Sequence, residues 1–138
     1  NHSDPIQAQI AREAYASQME YLERKHDSME YTLKAGLKVV AGTDSFLNDV
    51  RFDALTDEIQ RMVEYGCTPM QAIQATTLWA AESMGWTDIG ALQPGRLADV
   101  IAVEGDPLAD VRATDKVILV VREGKIVKFA GGQDSIPL

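Results

Sequence analysis

Ile6, Ile10, Ala14 and Tyr21 fall on one stripe of a 3.6-residue repeat, interrupted only by Ser17, while Met29 and Leu33 form a second stripe. From Ile6 to Ala35 there is no Pro or Gly, and good helix formers dominate. Asp4 suits an N-cap and Pro5 the first helical position, where a missing N–H costs nothing. The pattern predicts two helices with a break near His26-Asp27-Ser28, and Gly36 ends the second as a C′ residue.

Leu37 to Ala41 is short, apolar and β-branched in its middle, and Gly42-Thr43-Asp44-Ser45 stops it. A helix ending in Gly and followed by a short buried strand is the αβ step of a parallel sheet. A polar loop follows at Phe46–Arg51, and then a helix from about Asp53 to Tyr65 with Leu55, Ile59, Met62 and Val63 on its inner face. Thr68 is placed to cap the next helix, with Pro69 in its first turn, and Ile73, Thr77, Ala80 and Met84 align along it to Met84.

After Gly85 the character changes. Gly90, Pro94 and Gly95 punctuate turns, Ala98 to Val103 reads as a strand, and Gly105-Asp106-Pro107 turns again. Lys116–Val121 and Lys125–Phe129 are expected to pair through a tight turn at Glu123-Gly124. The end, from Gly131 to Leu138, is expected to fray. The expected domain division is an α/β portion over 1–86 and a small all-β portion over 87–138.

With 138 residues, 46% of them hydrophobic and 25% charged, the chain is of ordinary globular composition and can bury a core. Its net charge of −8 argues against nucleic acid and against an anionic membrane face. No stretch approaches the ~18 continuous apolar residues of a membrane span, and no signal peptide is evident near Asn1. A cytoplasmic setting is the default expectation. Because translation starts at Met and this chain starts at Asn1, an upstream segment is expected. The single cysteine, Cys67, rules out an internal disulfide framework, and its Gly-Cys-Thr-Pro turn favours a structural role.

Gly42-Thr43-Asp44-Ser45 is the most informative position for chemistry. In parallel α/β structures, polar residues just past the C-terminal end of a strand face the ligand crevice or barrel mouth. A carboxylate at position 44 could ligate a metal or take a proton, although an Asp after a strand is also a common helix cap. His2 lies in a polar terminus. His26 has Glu30 one turn on, an arrangement that is more often a solvated contact than a metal site. Asp49, Asp53, Asp57 and Glu58 read as a solvated acidic face that favours a helix N-terminus. There is no Gly-rich phosphate loop and no Gly-x-Ser-x-Gly elbow. Trp79 and Trp86 are expected to pack where the two portions meet.

Taken together, five stretches are similar to one known family. Ala35-Gly36-Leu37-Lys38-Val39-Val40-Ala41-Gly42-Thr43-Asp44-Ser45 resembles the last barrel strand of the amidohydrolase superfamily, in its imidazolonepropionase and prolidase-like branch. The segments Met62 to Ile73 and Ile89 to Ile101 resemble its following helices and its return into a small β-sandwich, and Gly105-Asp106-Pro107-Leu108 and Val120 to Val127 complete the pattern. The resemblance, from about Leu33 to Lys128, implies an α/β fold: the last βα units of a TIM-like barrel followed by the C-terminal part of a β-sandwich. It implies one or two divalent metals, commonly zinc. It also gives Asp44 the role of metal ligand and of shuttle carrying a proton from water to the leaving group. The substrate implied is a small-molecule amide, cyclic amide or dipeptide.

The departures from the family pattern are substantial. The His-x-His motif, the bridging lysine or glutamate and the two later histidines of the family are absent, and a whole (β/α)₈ barrel takes about 250 residues. Phe46-Leu47-Asn48-Asp49 replaces a Gly- and His-containing loop, and Trp79 stands where Asn or Pro is frequent. One carboxylate cannot hold a catalytic zinc, which needs about three protein ligands. The chain is therefore expected to be a fragment or one piece of a split enzyme, inactive alone, that associates with the missing N-terminal portion or with itself. Two other readings stand beside this one. One is a non-catalytic binding or assembly module derived from an amidohydrolase. The other is a receiver-like domain with Asp44 as phosphoacceptor, which lacks the acidic and basic partners such a domain needs.

Overall fold

The computed structural model describes residues 5–44 and 54–131, which form two units, residues 1–37 and 38–138. The first unit is one continuous helix, α1 (Pro5–Lys34), where the sequence predicted two. His26, Asp27 and Ser28 do not break it. None is Gly or Pro, and the Thr32 hydroxyl donates to the Ser28 carbonyl at 2.7 Å within the unbroken ladder. The Lys34–Glu30 pair at 2.6 Å adds an i,i+4 contact at the cationic end. Gly36 follows at φ +70°, and Leu37 N–H donates back to the Thr32 carbonyl, so the expected C-terminal stop holds. Asp4, the expected N-cap, lies outside the described residues.

Residues 37–44 lie in no helix and no β-ladder, so the predicted strand Leu37–Ala41 is not formed as such. A parallel strand needs neighbours on its edges, and no other strand among the described residues flanks this one. Helices α2 (Leu55–Glu64), α3 (Pro69–Thr76) and α4 (Leu78–Ser83) follow. Ile59 and Met62 of α2 are buried as the pattern required, whereas Leu55 is 46% exposed. At the start of α3 the Thr68 hydroxyl accepts from Gln71 N–H at 3.2 Å while the Gln71 side chain accepts from Thr68 N–H at 2.8 Å, a full capping box.

The predicted helix to Met84 is split at Thr77 (φ −128°, ψ −93°). Two hydroxyls, Thr76 at 2.9 Å and Thr77 at 2.7 Å, donate to the Ile73 carbonyl. Thr77 N–H is left with the Gln74 carbonyl, one residue short of the α register. Helical spacing alone does not reveal this competition.

Strands β1 (Val100–Val103), β2 (Val117–Arg122) and β3 (Lys125–Phe129) form an antiparallel sheet in that order, each within two residues of its predicted bounds. Glu123 (φ +50°) and Gly124 (φ +77°) make the expected tight turn, with both central residues left-handed. Asp99 secures it, its Oδ1 accepting from Glu123 N–H at 2.7 Å. A 3₁₀ turn at Val111–Asp115, not predicted from the sequence, places Val111, Ala113 and Thr114 in the core, and Gln60 of α2 donates to Asp115 at 2.9 Å.

The core is built of small side chains: Ala72, Ala75 and Ala81 with Ile59, Met62, Cys67, Val111 and Ala113. Gly90 packs against α4 so closely that a Cβ there would lie 2.8 Å from Ala81 Cβ. Trp79 is half-buried, but Trp86 is 52% exposed, so only part of the expected tryptophan packing is present. The tail from Gly131, expected to fray, lies outside the described residues beyond position 131.

Candidate functional site

Asp44 ends the segment 37–44, which lies in no helix or ladder. Its φ is +49°, a left-handed conformation that Asp tolerates better than most side chains because of its short polar group, and its side chain is exposed. Gly42, two residues earlier, has no atom within 4 Å of where a Cβ would stand, so the backbone approaching Asp44 is uncrowded. Thr43 is half-buried beside it.

Two contacts place this segment within its unit. The Lys38 ammonium pairs with the Glu82 carboxylate on α4. Ala41 N–H donates to the Ala75 carbonyl of α3 at 3.2 Å. Neither partner carries a sequence motif; their separation along the chain is 44 residues for the ion pair, beyond the reach of any local pattern.

The other candidates are not gathered around Asp44. His2, Ser45, Phe46–Asp49 and Asp53 lie outside the described residues. His26 is exposed on α1, and its neighbour Glu30 is held below the usual carboxylate range chiefly by its hydrogen bond to Lys34, with His26 a minor contributor. Asp57 and Glu58 sit in the first turn of α2, where acidic charge favours the helix dipole. Burial pushes the Cys67 thiol up, which makes it a poor nucleophile, as the structural reading expected. Among the described residues no three His, Cys, Asp or Glu side chains come together as a metal-binding group. The described residues therefore do not fit a complete metal centre; what they offer is one exposed carboxylate. No helix among them is long and apolar enough to cross a membrane.

Two cavities lie in the second unit. One of about 310 Å³ is lined almost entirely by apolar groups of α2, α3 and the sheet, including Leu55, Ile59, Ile73, Ile101 and Val103. The other, about 300 Å³, opens between α4, Trp86 and Asp99. Neither shows in the residue pattern, because each is assembled from several separate elements.

Comparison with known proteins places these features in context. Residues 4–127 match the amidohydrolase family. Adenine deaminase 2 of Rhizobium meliloti is 36% identical over 96 residues, covering 69% of this chain and 15% of that protein. Ochratoxinase of Aspergillus niger is 33% identical over 128 residues, covering 88% of this chain and 26% of that protein. A solved structure of a Xaa-Pro dipeptidase with bound methionine superposes with a TM-score of 0.68 at 31% identity, over 75% of this chain and 25% of that one. The chain thus spans about a quarter or less of the length of these relatives. Its mixture of helices and strands has the α/β amidohydrolase fold. This chain belongs to the amidohydrolase family, a family of hydrolases.

Proposed function

We infer that this chain is the C-terminal portion of a metal-dependent amidohydrolase that hydrolyses a C–N bond in a small-molecule amide, cyclic amide or dipeptide, with Asp44 contributing one metal ligand and carrying a proton. The observation that carries this reading is an exposed, left-handed Asp44 at the end of a segment whose sequence resembles the family's last barrel strand. In this reading residues 1–86 contribute the last βα units of a barrel and residues 87–138 the C-terminal strands of a β-sandwich. The deaminase and dipeptidase names of the relatives support a C–N bond as the target.

A divalent metal, zinc by the family resemblance, supplies Lewis acidity when bound, and its remaining ligands belong to a part of the enzyme that this chain does not include. The described residues by themselves define one task. As the proton shuttle, the exposed Asp44 carboxylate takes a proton from water and returns it to the departing amine. The uncrowded backbone at Gly42 leaves room for a substrate near that carboxylate.

The test is a panel of amides, cyclic amides and dipeptides offered to the complete enzyme before and after treatment with a chelator. Hydrolysis of at least one substrate that is lost on chelation and restored by zinc is expected. Hydrolysis indifferent to chelation would overturn the metal-dependent reading.

A further inference from the structure

The helix break at Thr77 has a consequence for Asp44. A helix leaves its last four carbonyls without partners inside it. Continued through Thr77, the α3 ladder would give the Ala75 carbonyl to the amide of Trp79. With α3 ending at Thr76, that carbonyl receives Ala41 N–H at 3.2 Å, three residues before Asp44. Ala75 is fully buried, so the bond lies on a rigid part of the core.

We propose that Thr76 and Thr77 are positioning residues for Asp44: by occupying the Ile73 carbonyl with their hydroxyls they open the helix and free the Ala75 carbonyl to dock the Asp44-bearing segment. Thr77 N–H, displaced to the Gln74 carbonyl, marks the shift in register. The segment 37–44 lies in no ladder among the described residues, and this backbone bond and the Lys38–Glu82 pair both tie it to the helices of the second unit. Of the two, the ion pair is half-exposed and weakened by solvent, whereas the Ala41–Ala75 bond ends on a buried residue. The functional side of the proposal rests on Asp44 being a metal ligand; the docking itself does not.

The experiment has two arms. In the complete wild-type enzyme, the Ala41 amide is expected to be protected from hydrogen exchange; exchange at the rate of an unprotected amide overturns the proposal without any variant. In the complete enzyme, Thr77→Leu, which removes the hydroxyl and favours a continuous helix, is compared with the conservative Thr77→Ser and with Asp44→Asn. Thr77→Leu is expected to speed exchange of the Ala41 amide at least ~10-fold, as local opening becomes easier. It is also expected to weaken cobalt(II) binding and alter the visible spectrum of the bound cobalt, with Thr77→Ser close to wild type in both. Should Thr77→Leu not fold, Thr77→Ala carries the same expectation. Unchanged Ala41 exchange in a folded Thr77→Leu or Thr77→Ala enzyme contradicts the proposal. If Asp44→Asn leaves cobalt binding unchanged, the metal reading of Asp44 falls, and the exchange results still decide the docking claim.

Discussion

At the scale of single residues, the side chains that matter most here are small. Gly90 combines φ +84° with a Cβ site 2.8 Å from Ala81 Cβ and 3.0 Å from the Thr77 carbonyl oxygen. Gly90→Ala is expected to cost roughly 2–5 kcal/mol, from left-handed strain plus overpacking. Gly95→Ala, with a similar φ of +87° and open space around it, should cost only about 1–2 kcal/mol. Urea unfolding of the two variants checks the difference. Cys67 gives a pH prediction. Its thiol is raised above the ordinary 9.0 by burial, so the unfolded chain releases that proton first. Stability should be unaffected by Cys67 below about pH 9 and fall as pH rises past it, because the folded state then binds the extra proton. A Cys67→Ala variant should lose that part of the slope in denaturant titrations between pH 8 and 10. The role of position 67 was legible, since a lone Cys in a Gly-Cys-Thr-Pro turn has little chemistry to join. The contacts of Gly90 were not, because a glycine's neighbours do not show in its own sequence.

At the scale of elements, what the sequence revealed depended on how local the determining interaction is. The α3 start and the β2–β3 hairpin were readable because Thr68 with Gln71 satisfies its own backbone within four residues, and Glu123-Gly124 supplies the left-handed pair that a tight turn needs. Thr68→Ala removes one half of the capping box and should destabilise the unit by about 1 kcal/mol, measured by thermal or urea unfolding. The Thr77 break escaped the helical pattern because Thr77 sits on the same stripe as Ile73 and Ala80; what splits the helix is the hydroxyls, not the spacing. The strand expected at Leu37–Ala41 had the right composition, but composition cannot provide the edge partners a ladder needs. The unbroken α1 teaches the converse. Three residues of middling propensity do not end a helix when neither Gly nor Pro is among them.

At the scale of the whole molecule, family membership was the most legible property, since several short motifs in fixed order survive without any knowledge of contacts. The candidate site was legible only as one residue. Asp44 stands in a motif, while the other ligands the reading requires are in no part of the described structure. Large apolar groups remain exposed on the second unit, among them Leu92 at 78% and Ile101 at 58%. On α1, Ile6, Tyr15 and Tyr31 are exposed as well. Surface of this kind is normally covered by other protein. The chain by itself is therefore expected to self-associate at micromolar concentrations in light scattering, and a well-behaved monomer would contradict the claim that these faces belong against further structure.

The central claim is that position 44 supplies a ligand to a metal held jointly with the rest of the enzyme. The direct measurement is zinc stoichiometry and affinity, by titration with metal analysis, for the complete wild-type enzyme, its Asp44→Asn variant and this chain alone. The account predicts at least one tightly held zinc in the wild type, affinity weakened by about 10-fold or more in Asp44→Asn, and no stoichiometric zinc on the chain alone. Equal zinc affinity in the wild type and in a folded Asp44→Asn enzyme would contradict it.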